Sequence, residues 1–206
     1  EAQFTSDYTL EVYPVREQHA ESTGNMTKGD TIRGKTIFLA SGVRPLIPKV
    51  QGIESIEYLT NASVLQLKER PESMVIIGGG YIAAEFAHFF EAMGTEVTII
   101  QRNKRLVPEE EPEVSEALAQ AFSRRMKVLT DTEVVEVRQT GGITTVTAKE
   151  RASGKQIEIT AQHILIAAGR KSNADILMVQ NTGVKTNEKG FIVVDEFFET
   201  SKKNIW

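Results

Sequence analysis

The feature that most constrains this chain lies at residues 74–85, where an apolar run meets three consecutive glycines and then a helical pattern. Met74, Val75, Ile76 and Ile77 follow one another without a polar interruption, as expected of a parallel strand covered on both faces. After Gly78, Gly79 and Gly80, the residues Ile82, Phe86, Phe89 and Met93 recur at helical spacing, and Gly94 is a natural C-terminal stop. Residues 96–100 (EVTII) read as a second short strand. A strand, glycine turn, helix and strand within roughly thirty residues is one unit of a parallel α/β sheet.

The flanking sequence extends this reading. Residues 8–15 (YTLEVYPV) alternate as a strand, 16–30 form a polar loop, and 31–40 end in a short apolar strand that Ser41, Gly42, Arg44, Pro45 and Pro48 break. Residues 60–69 suit a short helix capped by Thr60 or Asn61 and closed by Pro71. A proline-bracketed acidic loop at 108–112 leads into a helix that starts at Pro112 and runs to about Met126, with Val114, Leu118, Ala121 and Phe122 on its apolar side. A strand at 127–129 follows. The alternating segments 133–138, 143–149 and 156–160, punctuated by Gly141-Gly142 and Ser153-Gly154, predict an antiparallel meander. Residues 163–168 (HILIAA) form another buried strand ended by Gly169, and 191–194 (FIVV) a last one. The expected class is α/β: a Rossmann-like parallel sheet with an antiparallel β-meander.

Composition removes several function classes. The net charge of -4 leaves no basic footprint for nucleic acid. No apolar run approaches the ~18 residues of a membrane helix, and the first residues lack a secretory pattern, so a cytoplasmic location is expected. Cysteine is absent, which excludes disulfides, thiolate metal sites and a thiol nucleophile within this chain. His19, His88 and His163 are scattered without metal-ligand spacing, so no metal site is expected.

Chemistry concentrates at the glycines. Gly78, Gly80 and Ala83 make the pattern G-x-G-x-x-A. Gly78 permits the tight turn from strand to helix, Gly80 lets backbone approach a pyrophosphate, and small Ala83 lets the helix pack close to the sheet. The amides and dipole of the helix N-terminus favour phosphate. The candidate binding loop therefore takes in Gly78, Gly79, Gly80, Tyr81, Ile82 and Ala83. An acid at the end of the second strand would accept from the adenosine ribose 2′-hydroxyl, but this chain has Gln101-Arg102-Asn103-Lys104-Arg105. Arginine can pair bidentately with a 2′-phosphate, which leans the expectation from NADH to NADPH. A solvated basic loop, with Gln101 serving the ribose of NADH, is the alternative.

The strings GGGYIAAE at 78–85, IAAGR at 166–170, LASGVRP at 39–45, GRKSNAD at 169–175 and FIVVDEFFETSKKNIW at 191–206 resemble the class I pyridine nucleotide-disulfide oxidoreductases over nearly the whole chain. That family includes dihydrolipoamide dehydrogenase, glutathione reductase, mycothione reductase and mercuric reductase. The resemblance implies partial flavin-domain strands at both termini: 1–45 as a remnant of an FAD-binding domain, 46–170 as the NAD(P)-binding domain, and 171–206 as the return segment. By position it implies a nicotinamide gate at Tyr81, a nicotinamide-side carboxylate at Glu85, a 2′-phosphate contact at Arg102, an adenine-side contact at Val134, a nicotinamide-ribose contact at Gly169 and a flavin contact at Gly42. Gln101 stands where NADH enzymes of the family carry Glu. The bland alternatives are a surface aromatic at Tyr81, a dipole-favoured acid in the first helical turn at Glu85, a core residue at Val134, and simple strand-ending turns at Gly42 and Gly169.

The resemblance implies the nucleotide-binding module of an FAD-dependent disulfide oxidoreductase, exchanging hydride between NAD(P)(H) and flavin. The parent would be a homodimer acting on a small-molecule or lipoyl disulfide. A dihydrolipoamide dehydrogenase-like parent is expected first, a mycothione or mercuric reductase-like one next, then an NADH oxidase or coenzyme A disulfide reductase. A non-catalytic nucleotide-binding module is the reading from another class. The family's redox cysteine pair, first flavin glycine motif and dimerisation domain have no counterpart in these residues, so catalysis by this chain alone is not expected.

Overall fold

A computed structural model describes residues 1–13 and 29–206. Pro14, Val15, His19 and most of the expected 16–30 loop lie outside the described residues. The chain divides into two units, one made of Glu1–Arg44 with Arg170–Trp206 and one of Pro45–Gly169.

The first unit opens with an antiparallel three-stranded sheet of β1 (Ala2–Ser6), β2 (Thr9–Val12) and β3 (Asp30–Arg33). The strand expected late in 31–40 instead occupies its start: beyond Arg33 only Ile37 makes a bridge, to Ile205, and Phe38 is 75% exposed and stacked on Trp206. β4 (Val43–Pro45) follows.

The second unit holds the glycine turn. Its parallel sheet comprises β5 (Ser73–Ile77), β6 (Glu96–Ile100), β7 (Lys127–Leu129) and, returning later in the chain, the strand His163–Ile166. Helix α1 (Tyr81–Ala92) links β5 to β6, and α2 (Pro112–Ser123) links β6 to β7. Between β7 and the returning strand comes the expected meander of β8 (Thr132–Thr140), β9 (Ile143–Glu150) and β10 (Gln156–Ala161), with β9 central. Gly141 and Gly142, at φ 60° and 81°, make the β8–β9 turn; both positive angles are what a tight hairpin of this hand requires. With the returning strand as β11, the parallel order is β11-β5-β6-β7. The chain therefore winds outward from β5 in both directions, and β5 borders the point where the winding reverses.

Alternation along the parallel strands sorts side chains into two cores. Met74, Ile76, Val97, Ile99 and Leu165 face the helices, meeting Ala83, Ala87 and Phe90 of α1 and Phe122 of α2. Val75, Ile77, Ile100, Ile164 and Ile166 face the meander, meeting Val134, Val137, Val146 and Ala148. The unit is three layers: helices, parallel sheet, meander.

Both helices are rotated from expectation. In α1 the buried residues are Ala83, Ala87 and Phe90, while Phe89 and Met93 are 55% and 56% exposed and Ile82 and Phe86 are half-buried. Small residues face the sheet because they let the helix axis approach it, and the bulky ones are displaced to the rim. In α2 the inward stripe is Ser115, Leu118, Ala119 and Phe122, and Val114 and Ala121 face solvent. Polar Ser115 is tolerated inside because its hydroxyl donates to the Val107 carbonyl. The expected helix at 60–69 reduces to a 3-10 turn, Ser63–Gln66, in which the Thr60 amide donates to Ser63 Oγ at 2.9 Å.

The chain re-enters the first unit through β12 (Arg170–Ser172), which pairs with β4. Phe4, Ala174, Val179, Val184 and Ile205 form this unit's core. The strand expected at 191–194 does not form a ladder: Ile192 and Val194 make isolated bridges to Thr186 and Thr200, and Val193 and Val194 remain 47% and 42% exposed.

Candidate functional site

The C-terminal ends of β5 and β6 open on a cleft of about 570 Å³. Gly78, Gln101, Arg102 and Val134, four of the candidate residues, line it together with Asn103, Thr132 and Glu133. Ile47, Pro48 and Lys49, from the segment before the glycine unit that runs beside β8, line it as well.

Each glycine of the turn answers a different constraint. Gly78 has φ +122°, and a Cβ there would lie 2.2 Å from the Ala167 carbonyl oxygen, so the close approach of the β5 and β11 ends demands glycine. A Cβ on Gly79 would meet the Gln101 side chain at 2.8 Å. Gly80 is different: it has negative φ and nothing within 4 Å of a Cβ position. The fold does not require glycine there, so the open space beside it suits the close approach of a ligand. Gly80 is also the N-cap of α1, and no side chain caps that helix, which leaves an N-terminus of the kind that binds phosphate.

The end of β6 is held firmly. The Gln101 amide donates to the Leu129 carbonyl at 2.8 Å, and the Thr132 and Asp131 amides donate to Gln101 and Asn103 carbonyls at 3.0 and 2.9 Å. Gln101 itself is 7% exposed, and its Nε2 donates to the Arg105 carbonyl at 3.2 Å. Its side chain is thus spent on packing over Gly79 and closing the 101–105 turn. Arg102 projects instead, with Nε 3.4 Å from Glu133 Oε1. Glu133 is the carboxylate among the residues that line this cleft. Nothing local in the sequence points to it, since the β7–β8 corner carries it there from thirty positions downstream.

The remaining candidates are dispersed. Tyr81 is 56% exposed at the first position of α1, Ile82 is half-buried beside it, and Ala83 is buried against the sheet. Glu85 lies past the first turn of α1, so the dipole explanation offered for it weakens. It lines a separate apolar groove of about 420 Å³ with Leu65, Phe86, Phe89 and Met93. Val134 is 8% exposed and belongs to the meander-side core as well as the cleft wall. Gly169, at φ +128°, lies three residues beyond the end of β11, and its carbonyl accepts from the Leu46 amide at 3.0 Å. Gly42 lies in the other unit, at φ +63° with open space beside it, room enough for a ligand's approach. Beside it in that unit, Arg44 donates to both carboxylate oxygens of Asp175, and Lys171 adds an ion pair at 2.9 Å. The Arg44 guanidinium, and after it the Lys171 ammonium, hold the Asp175 carboxyl well below the usual range. Among the described residues no group of three or more His, Asp or Glu could hold a metal ion, and no helix is long and apolar enough to cross a membrane.

Comparison with known proteins adds to this geometry. Residues 4–206 match the family described as Pyridine nucleotide-disulphide oxidoreductase. A mercuric reductase of Staphylococcus aureus is 34% identical over 207 residues, covering 100% of this chain and 35% of that protein. A mycothione reductase of Mycobacterium tuberculosis is 33% identical over 178 residues, covering 86% of this chain and 38% of that protein. Among solved structures, the HOCl-induced flavoprotein disulfide reductase RclA from Escherichia coli matches 100% of this chain and 43% of its own, with a TM-score of 0.82 and 26% identity. The chain thus spans well under half the length of these relatives.

Proposed function

The chain belongs to the pyridine nucleotide-disulphide oxidoreductase family, and we propose that it binds a nicotinamide dinucleotide in the Gly78–Arg102–Val134 cleft as part of an FAD-dependent oxidoreductase. The observation that carries this reading is the Gly80 position, where glycine stands although the fold leaves a side chain ample room. A pyrophosphate seated there would meet the N-terminal amides of α1. The adenosine end would run toward Gln101, Arg102 and Val134, where the rigid β6 terminus fixes the backbone and Arg102 offers the cation that a 2′-phosphate of NADPH would use. The nicotinamide end would lie on the Tyr81 side.

The chemistry that FAD supplies in such an enzyme is acceptance of hydride from the reduced nicotinamide. This chain's own contribution is to hold and orient the nucleotide, since it contains no cysteine to carry a disulfide step. Gly42, with its open approach, is the residue here that would contact flavin. The relatives support the family without singling out dihydrolipoamide dehydrogenase. Their names make mercuric ion and mycothione the first acceptors to test with the whole protein.

Binding is checked by thermal unfolding with each nucleotide. A ligand at one hundred times its Kd stabilises by about 2.7 kcal/mol, so NADH or NADPH should raise Tm by several degrees. The Gly80→Ala variant should keep its Tm without ligand and lose most of that shift. No shift with either nucleotide at millimolar concentration refutes the proposal.

A further inference from the structure

Nucleotide-binding sheets of this kind place an acid at the end of the second strand, where it accepts from the ribose 2′-hydroxyl. Here that position is Gln101, buried and turned away to bond the Arg105 carbonyl. The cleft nevertheless contains a carboxylate at the same end. Glu133, second residue of β8, lines it beside Arg102, Thr132 and Val134, with Oε1 3.4 Å from Arg102 Nε.

We infer that Glu133 is a specificity-determining residue, which sets the choice between the two nicotinamide dinucleotides by competing with a 2′-phosphate for Arg102. The inference rests on the nucleotide reading of the cleft. It follows from charge and from geometry that the backbone enforces. The hydrogen bonds between Gln101 and Leu129, between Thr132 and Gln101, and between Asp131 and Asn103 lock the two strand ends together. Arg151 reinforces them, donating to Asp131 Oδ1 at 3.3 Å. Arg102 and Glu133 therefore cannot separate by backbone drift. A 2′-phosphate must take the guanidinium from Glu133 and tolerate the carboxylate beside it. A 2′-hydroxyl leaves the pair in place and can donate to the carboxylate. Both side chains are substantially exposed, at 68% and 47%, so the contest is screened by solvent and its effect is moderate. Lys49, the other cation lining the cleft, comes from the segment that runs beside β8, where the Gln51 amide donates to the Val135 carbonyl at 3.3 Å, and the ion pair of Glu133 is with Arg102.

The test measures NADH and NADPH affinity by nicotinamide fluorescence for the unaltered protein, Glu133→Gln, Arg102→Ala and the double variant, at low and high salt. Glu133→Gln should tighten NADPH by about fivefold at low salt, less at high salt, and change NADH by less than about twofold. The NADPH gain should vanish when Arg102 is absent. An equal change for both nucleotides, or a gain that persists without Arg102, overturns the role given to Glu133 while leaving the binding site standing. If the unaltered protein binds neither nucleotide, the site and this inference fall together. Unchanged Tm values across the set show that the variants are folded.

Discussion

Two apolar runs of the same length met opposite fates. Residues 74–77 became one of the two inner strands of the parallel sheet, with Met74, Val75, Ile76 and Ile77 only 1%, 1%, 0% and 6% exposed. Residues 191–194 gained two isolated bridges and left Val193 and Val194 nearly half exposed. The first run has a parallel neighbour on each side and a packed layer above and below. The second has no ladder neighbour, and of its residues Ile192 packs against the first unit's core. An apolar string is permission to form a strand, and hydrogen-bonding neighbours decide whether it does.

The sharpest probe of this contrast is a matched truncation. Ile76→Ala should cost about 2–5 kcal/mol, because it opens a cavity between fully packed layers. Val194→Ala should cost less than about 0.5 kcal/mol. Denaturant titration of both variants checks the pair, and equal losses would erase the distinction. The turns give a smaller contrast. Gly78→Ala forces a Cβ against the Ala167 carbonyl at a strongly positive φ and should cost about 2–3 kcal/mol. Gly42→Ala meets open space at φ +63° and should cost about 1 kcal/mol. The smallest effect concerns charge in the first unit. The folded pKa of Asp175 is depressed, so its pairing with Arg44 and Lys171 contributes stability above the unfolded value of about 3.9, lost as pH falls below that. Asp175→Asn should make the decline of stability below about pH 4 shallower; identical acid slopes in the two proteins would show that the pairing contributes nothing.

Much of the second unit was legible because local and global signals agreed there. The run at 74–77 reads as a doubly covered strand, the glycines as a turn, and Gly141-Gly142 as a hairpin; the structure forms each of them. The helix faces were misjudged because periodicity locates an apolar stripe without saying which side chains a sheet can accept. Ala83 packs on the sheet as the G-x-G-x-x-A pattern implies, and Ala87, inconspicuous beside Phe86 and Phe89, is selected by the same closeness. Gly78, Gln101, Arg102 and Val134 line one cleft, though Gln101 is occupied with its own turn. Glu133 was invisible because its proximity to Arg102 depends on the β7–β8 corner, a tertiary arrangement with no periodicity to betray it.

The tucked Gln101 also constrains any attempt to re-engineer the protein's coenzyme preference. The obvious replacement, glutamate, would convert the donor that serves the Arg105 carbonyl into a repelling oxygen and would strand a negative charge in a spot almost closed to water, hard against the glycine turn. On the role proposed for Glu133, β8 is the less disruptive place for such a change, because that side chain is 47% exposed.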